Sequence, residues 1–364
     1  MDAHPTTDHC RYCLMCRHVC PVGHITHLET LTPHGWGLTI ASVQRGLLTW
    51  NSETVAVLYS CADCGLCQAN CATDQPLPDA IAAARAEVTA GQLAPSIVYE
   101  IGEMLKTYEN PYVKQNPLQP TGTGAVALFV GDEAQYRWPD GIAAARALIQ
   151  NTGIDVAEIG VGRNNGYLAS SLGFPDTART LVQATLDELR ASGAQKMLVL
   201  SPGDYFAFQQ HLEERLGLAW PEEVELIELT TYLIHHLKAG TFAIKSADGE
   251  VPHAYVDPTH AVRVSARDRG THPARALLRH AISTPARQLF WREGRAHPVG
   301  NTALQFTQPQ LAEKLTRARL EDAQASGAQM LICEDAGTLA QLARFAGEHG
   351  LHVKGLYELL AERS

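Results

Sequence analysis

The sequence predicts an α+β chain in which a helical, cysteine-rich N-terminal domain precedes a duplicated α/β domain with parallel sheets. Three observations carry this. Eight of the nine cysteines fall in two short runs near the N-terminus. The remainder alternates short apolar runs of strand length with longer amphipathic runs of helix length, the pattern of parallel sheets flanked by helices. One segment, Ala-Ser-Gly-Ala-Gln, occurs twice, at 191–195 and at 325–329, in matched surroundings, which reads as an internal duplication. The boundaries expected from these features are 1–109 for the cysteine-rich domain, 110–124 for a linker rich in Pro, Asn and Gly, 125–245 for the first α/β half and 251–364 for the second.

The cysteines are spaced Cys10-x2-Cys13-x2-Cys16-x3-Cys20, followed by Pro21, and Cys61-x2-Cys64-x2-Cys67-x3-Cys71. That spacing is the signature of paired 4Fe-4S clusters. Three thiolates on a tight loop reach three corners of one cube, and the fourth, a turn further on, faces the other cube. Cross-ligation is therefore expected, with Cys10, Cys13, Cys16 and Cys71 on the first cluster and Cys61, Cys64, Cys67 and Cys20 on the second. Zinc would use two C-x2-C pairs and leave four thiolates idle. Disulfides would staple a small secreted domain instead of crowding into one part of a long chain. Pro21 shapes the exit from the first loop. His18 and His24 flank Cys20 and read as hydrogen-bond donors or solvated surface, not as ligands.

Between the two runs, residues 37–46 are helix-compatible, and Thr32-Pro-His-Gly-Trp-Gly37 reads as a loop of breakers. Residues 78–87 form a strong helix with proline near its start. In the first half, a strand at 125–130 precedes a helix at 142–150. An amphipathic helix at 177–190 leads through the repeated segment into a strand at 197–200, a turn of small residues and a helix at 205–216. The second half follows suit, with a strand at 254–256, helices at 274–279 and 309–325, a strand at 330–333 and a helix at 339–349.

The formal charge of −10, from 29 basic and 39 acidic residues, argues against a nucleic-acid partner. No apolar run approaches the ~20 residues of a membrane span. The opening Met1-Asp2-Ala3-His4 has no charged-then-apolar leader, so the chain is expected in the cytoplasm, peripheral to a membrane only through partners.

Two cluster loops, a linker and a duplicated α/β region together resemble the iron-sulfur subunits related to glycolate oxidase, anaerobic glycerol-3-phosphate dehydrogenase and heterodisulfide reductase, whose N-terminal domain is a ferredoxin-like dicluster domain. In that family each C-terminal half carries a Cys-Cys-Gly-type (CCG) cysteine-rich domain. Here the frames remain without the sulfurs. Asn164-Asn165-Gly166 stands where Cys-Cys-Gly would fall, and Ser201-Pro202-Gly203-Asp204-Tyr205 where Cys-Pro-x-Cys-Tyr would. Gly131-Asp132 stands for Gly-Cys. Asp257-Pro258-Thr259-His260, with Arg263, is similar to an Asp-Pro-Cys-His stretch with threonine for cysteine. Residues 295–301 have no cysteine pair, and only Cys333 survives. Oxygen and amide side chains cannot replace thiolates en bloc, so the C-terminal region is not expected to hold the cysteine-ligated cofactor of some relatives.

Two cubes without a flavin, nicotinamide or pterin motif describe a relay of single electrons. The resemblance implies a partner subunit carrying FAD and a downstream carrier, a quinone-linked protein, a ferredoxin or a similar carrier. A competing reading gives the altered pocket between the halves a substrate or another metal, held by Asp132, Asp204, His260, His297 and Cys333. Against it stands the simpler expectation that these polar groups hydrogen-bond loop ends, and that Cys333, ending an apolar strand, is an inert buried thiol. A third reading makes the altered half a docking scaffold for the partner.

Overall fold

The structure, a computed structural model, describes residues 10–248, 251–260 and 272–364; Arg263 and residues 1–4 lie outside them. The first sheet contains β1 (Val126–Gly131), β2 (Ala157–Arg163), β3 (Lys196–Val199) and β4 (Glu225–Glu228), in the order β2-β1-β3-β4 with every pair parallel. The second contains β5 (His253–Tyr255), β6 (Met330–Cys333) and β7 (His352–Gly355), in the order β5-β6-β7 and again parallel. The repeated segment precedes β3 and β6, so β1-β3-β4 corresponds to β5-β6-β7.

The repeated segments also do the same local work. Ser192 donates to the Leu189 carbonyl and accepts from the Ala194 amide, while Ser326 donates to the Ala323 carbonyl and accepts from the Ala328 amide. Gly193 and Gly327 follow at φ 71° and 77°, a left-handed turn that ends a helix and disfavours a Cβ. This turn returns each long helix, Pro175–Ser192 or Pro309–Ala325, to its central strand.

β1 is buried along its whole length, and its side chains alternate between two cores as the pleat requires. Ala127 and Phe129 face Leu181, Val182 and the N-terminal helices, whereas Val126, Leu128 and Val130 face Ile142, Leu148, Leu233 and Leu356. The first of these cores crosses the linker. Trp36, Ile40, Leu58, Ile81 and Val88 share it with Leu168, Leu172 and Leu181. Polar ties reinforce the contact: the Tyr59 hydroxyl donates to the Leu172 carbonyl at 2.9 Å and the Thr89 hydroxyl to the Gly173 carbonyl at 2.7 Å. Gly102 is required there, because a Cβ on it would lie 2.5 Å from the Phe174 ring.

Thr32-Pro-His-Gly-Trp-Gly37 is not a loop. It opens the helix Pro33–Gln44, with Thr32 as N-cap accepting from the Gly35 amide and Pro33 at the first helical position. Gly35 is there for space, since its Cβ would come within 2.5 Å of the Glu29 and Thr30 carbonyls. The helix expected at 205–216 is in three pieces, Pro202–Phe206, a π turn at Ala207–His211, and Leu212–Leu216. Among the described residues no helix is long and apolar enough to cross a membrane.

Candidate iron-sulfur centre and an acidic cavity

The two cysteine loops share an unusual backbone. Tyr12 and Leu14 in the first, and Asp63 and Gly65 in the second, occupy equivalent places and all have positive φ, at 50°, 63°, 49° and 69°. Alternation of left- and right-handed residues turns successive backbone N–H groups inward, a concavity suited to an anion such as an iron-sulfur cluster. Cys20 then caps the helix Pro21–Thr26, its sulfur accepting from the Gly23 amide at 3.4 Å. The Cys61 sulfur accepts from the Asp63 amide at 3.3 Å.

All nine cysteines are free. Cys10, Cys13, Cys16 and Cys71 line one cavity of about 60 Å³, and Cys20, Cys61, Cys64 and Cys67 line a second of about 10 Å³, with Cys67 bordering both. Each cavity thus takes sulfurs from both runs. Burial pushes the Cys16 thiol up to about 11, and neighbouring Cys10, Cys13 and Cys71 add to the rise. Burial pushes Cys61 up to about 12, where Arg85 pulls it down and Asp63 and Cys64 push it up. Cys20 and Cys67 are raised by burial too, and then by the sulfurs around them. Crowded thiols that resist ionising alone are a donor set for a cationic cluster core, which takes them as thiolates. The residues fit the group.

The second cysteine loop, the inner of the two since Cys61 and Cys64 are buried, is anchored to the first α/β half. Asp63, 4% exposed, accepts from the Tyr167 hydroxyl at 2.8 Å and the Ser171 hydroxyl at 3.0 Å, and lies 3.7 Å from Arg215. Arg215 also pairs with Asp79. Asp63, Arg215, Tyr167 and Ser171 went unnoticed in the sequence, since they come from three separate segments and Asp63 fills a variable position of the cysteine motif.

A different cavity, of about 80 Å³, lies where β1, β2, β3 and β6 end, the position at which parallel sheets present their loops. Asp132, Asp204 and His260 line it, as do Glu133, Glu334 and Asp335; His297 and Cys333 do not. His297 instead stacks on Trp291 at 3.9 Å beside His24, and burial depresses it to about 3. Cys333 points into the apolar core with Leu331 and Leu342.

The residues at the altered positions hold loop ends. Asn164 donates to Asp132 and accepts from the Gly166 amide; Asn165 donates to Asp204 and accepts from the Tyr167 amide. Ser201 caps the helix Pro202–Phe206 and donates to Asp335 at 2.6 Å, joining the two halves. Asp335 in turn caps the helix Ala336–Ala343. Glu133 accepts from Tyr112, with Arg137 3.9 Å away. Glu133 and Asp335 were not singled out in the sequence, because each looks like an ordinary acid at the start of a helix.

Burial raises Asp132 to about 7, against the hydrogen bond from Asn164, and raises Asp204 to about 8, against the one from Asn165 and with help from Asp132 and Asp335. Burial and then Asp335 raise Glu133 to about 8. A carboxylate whose pKa rises on folding lends stability that is complete below its unfolded value and lost as pH climbs through its folded one. Stability is therefore expected to fall between the ordinary carboxylate range and about pH 8. Asp204→Asn is expected to flatten that fall and to raise the melting temperature at the alkaline end, checked by thermal denaturation across this range.

Residues 6–75 match the family of 4Fe-4S dicluster domains. No curated protein matches the chain in sequence. Among solved structures, the chain is similar to the crystal structure of a hypothetical protein from Helicobacter pylori, with a TM-score of 0.61 and 10% identity over 93% of this chain and 70% of that one. At that identity the likeness is one of fold. The N-terminal region is thus a 4Fe-4S dicluster domain, and the chain is an iron-sulfur protein with the role in electron transfer that such a domain suggests.

Proposed function

We propose that this chain relays single electrons, through two 4Fe-4S clusters, as the iron-sulfur subunit of a flavin-dependent oxidoreductase complex. The observation that carries the reading is the pair of sulfur-lined cavities, an outer one whose cysteines are exposed or half-buried and an inner one where Cys20, Cys61 and Cys64 are buried. Cys10, Cys13, Cys16 and Cys71 would hold the outer cluster; Cys20, Cys61, Cys64 and Cys67 the inner. When bound, such clusters supply one-electron carriers whose potentials follow hydrogen bonding and exposure. The chain's own part is to space them, exclude water from the inner one, and offer a docking rim. Tyr12, Met15 and Leu38, 41%, 52% and 46% exposed, surround the outer sulfurs and suit an apolar partner surface. The partner of this reading carries FAD, and a quinone-linked protein or ferredoxin takes the electrons onward.

Anaerobically purified protein is expected to contain about eight irons and as many sulfides per chain, with two interacting signals in electron paramagnetic resonance after reduction. Zinc in place of iron, or a single cluster, would sink the relay. Native pull-down should bring a flavoprotein whose substrate reduces both clusters.

The second reading, a substrate or metal in the acidic cavity, gains from the meeting of Asp132, Asp204 and His260 there. Among the described residues, however, no three His, Cys, Asp or Glu side chains converge on one ion. His260→Ala should leave the metal content unchanged under the relay; release of an ion would favour the pocket.

A further inference from the structure

Arg85 is 1% exposed and sits on the helix Leu77–Ala90, which packs beneath the inner cysteine loop. A guanidinium has five N–H donors in a fixed fork. Here five bonds are made, all to neutral oxygens: Nε and Nη2 to the Leu58 carbonyl at 3.2 and 2.7 Å, Nη2 to the Cys61 carbonyl at 3.0 Å, and Nη1 to the carbonyl and hydroxyl of Ser171 at 2.9 and 3.3 Å. No carboxylate pairs with it among the described residues. Asp63 shares the Ser171 hydroxyl with Arg85 and is itself held by Arg215 and Tyr167. A fully buried charge without a counter-charge costs several kcal/mol, and proteins rarely leave one so.

We infer that Arg85 is the built-in counter-charge of the inner cluster and sets its reduction potential. This rests on the relay reading, which places a cluster of net negative charge on Cys20, Cys61, Cys64 and Cys67. Reduction adds one more negative charge to that cluster, and a fixed cation behind the Cys61 carbonyl favours the reduced form. The low polarity of the site, with Tyr59 stacked 5.0 Å from the guanidinium, preserves the interaction that water would screen. Arg85 is a positioning residue, acting through the cluster and not on a substrate.

The test is an anaerobic redox titration of the loaded protein, followed by paramagnetic resonance, in the parent, Arg85→Gln, Arg85→Lys and Ser171→Ala. Gln removes the charge and keeps amide donors for the carbonyls; Lys keeps the charge and loses the fork; Ser171→Ala removes one bond from Arg85, one to Asp63 and no charge. Arg85→Gln is expected to lower the reduced-to-oxidised ratio of the inner cluster at a fixed potential by about tenfold, equivalent to 59 mV for one electron. The outer cluster should not move, and Lys and Ser171→Ala should shift the inner one far less. An unchanged inner potential in Arg85→Gln with both clusters retained overturns the inference and leaves Arg85 a clamp on three carbonyls. Should Gln lose the inner cluster, Lys decides: retention at near-parental potential supports the charge, and equal loss overturns it. Iron analysis of the parent separates these results from failure of the relay, which would show as a missing second cluster before any substitution.

Discussion

Cys20→Ala is expected to remove the cluster held by Cys61, Cys64 and Cys67, while the one held by the rest of its own run survives. The sulfur of Cys20 lies on the inner cavity with those three, across the cluster pair from Cys10, Cys13 and Cys16. A cube with one thiolate missing is exposed to solvent ligands and loss of iron, so iron per chain should fall to about half. The helix Pro21–Thr26 loses its sulfur cap as well, a smaller effect of about 1 kcal/mol. Cys71→Ala should give the mirror image, sparing the inner cluster. Spectra in which Cys20→Ala disturbs only the cluster of Cys10, Cys13 and Cys16 would refute the pairing.

Asp63→Ala should destabilise the folded protein by about 3 kcal/mol or more, the cost of removing one partner from a buried charge pair. The substitution leaves Arg215, with its side chain 7% exposed, 3.7 Å from an empty position, held by Asp79 alone. It also removes the carboxylate to which the Tyr167 and Ser171 hydroxyls donate, while Tyr167 keeps the longer bond to the backbone carbonyl of residue 63 at 3.3 Å. Because these groups join the inner loop to the segment after Asn164 and Asn165, the linker between the N-terminal region and the first half should become more open to proteases. Chemical denaturation and limited proteolysis, run side by side, measure both effects; a stability within 0.5 kcal/mol of the parent, the range of ordinary surface changes, would show the network to be dispensable.

Much of the fold could be read from the sequence. The long helices and the strands β1, β3, β5 and β6 follow from apolar periodicity, and the repeated segment located the turn that both halves share. β2 escaped because Gly160 and Gly162 sit in it at φ 58° and 81° and interrupt its pattern. β4 and β7 escaped because each has four residues, several of them half-exposed. The breaker-rich stretch at 32–37 misled for a physical reason: proline and glycine break a helix interior, but proline also starts one, and Gly35 is required by a close carbonyl. At the site, cysteine spacing is local information and was legible. The acidic cavity was legible only in part, since Asp132 and Asp204 were marked by a lost sulfur, whereas Glu133, Glu334 and Asp335 are gathered by topology alone. His297 and Cys333 are close in sequence to cavity residues yet face other cores.

The division of each sulfur-lined cavity between two runs has a consequence for assembly. Neither cavity has its four walls until the loop at 10–20 meets the loop at 61–71. Filling one cavity closes a loop of several dozen residues and removes its conformational freedom from the unloaded chain, at an entropic cost that grows only slowly with length. The second cavity is then already closed, so its cluster binds without paying that cost again. Cluster delivery should accordingly be cooperative: partial loading in a cell or a reconstitution should yield empty and full chains, with few that carry one cluster.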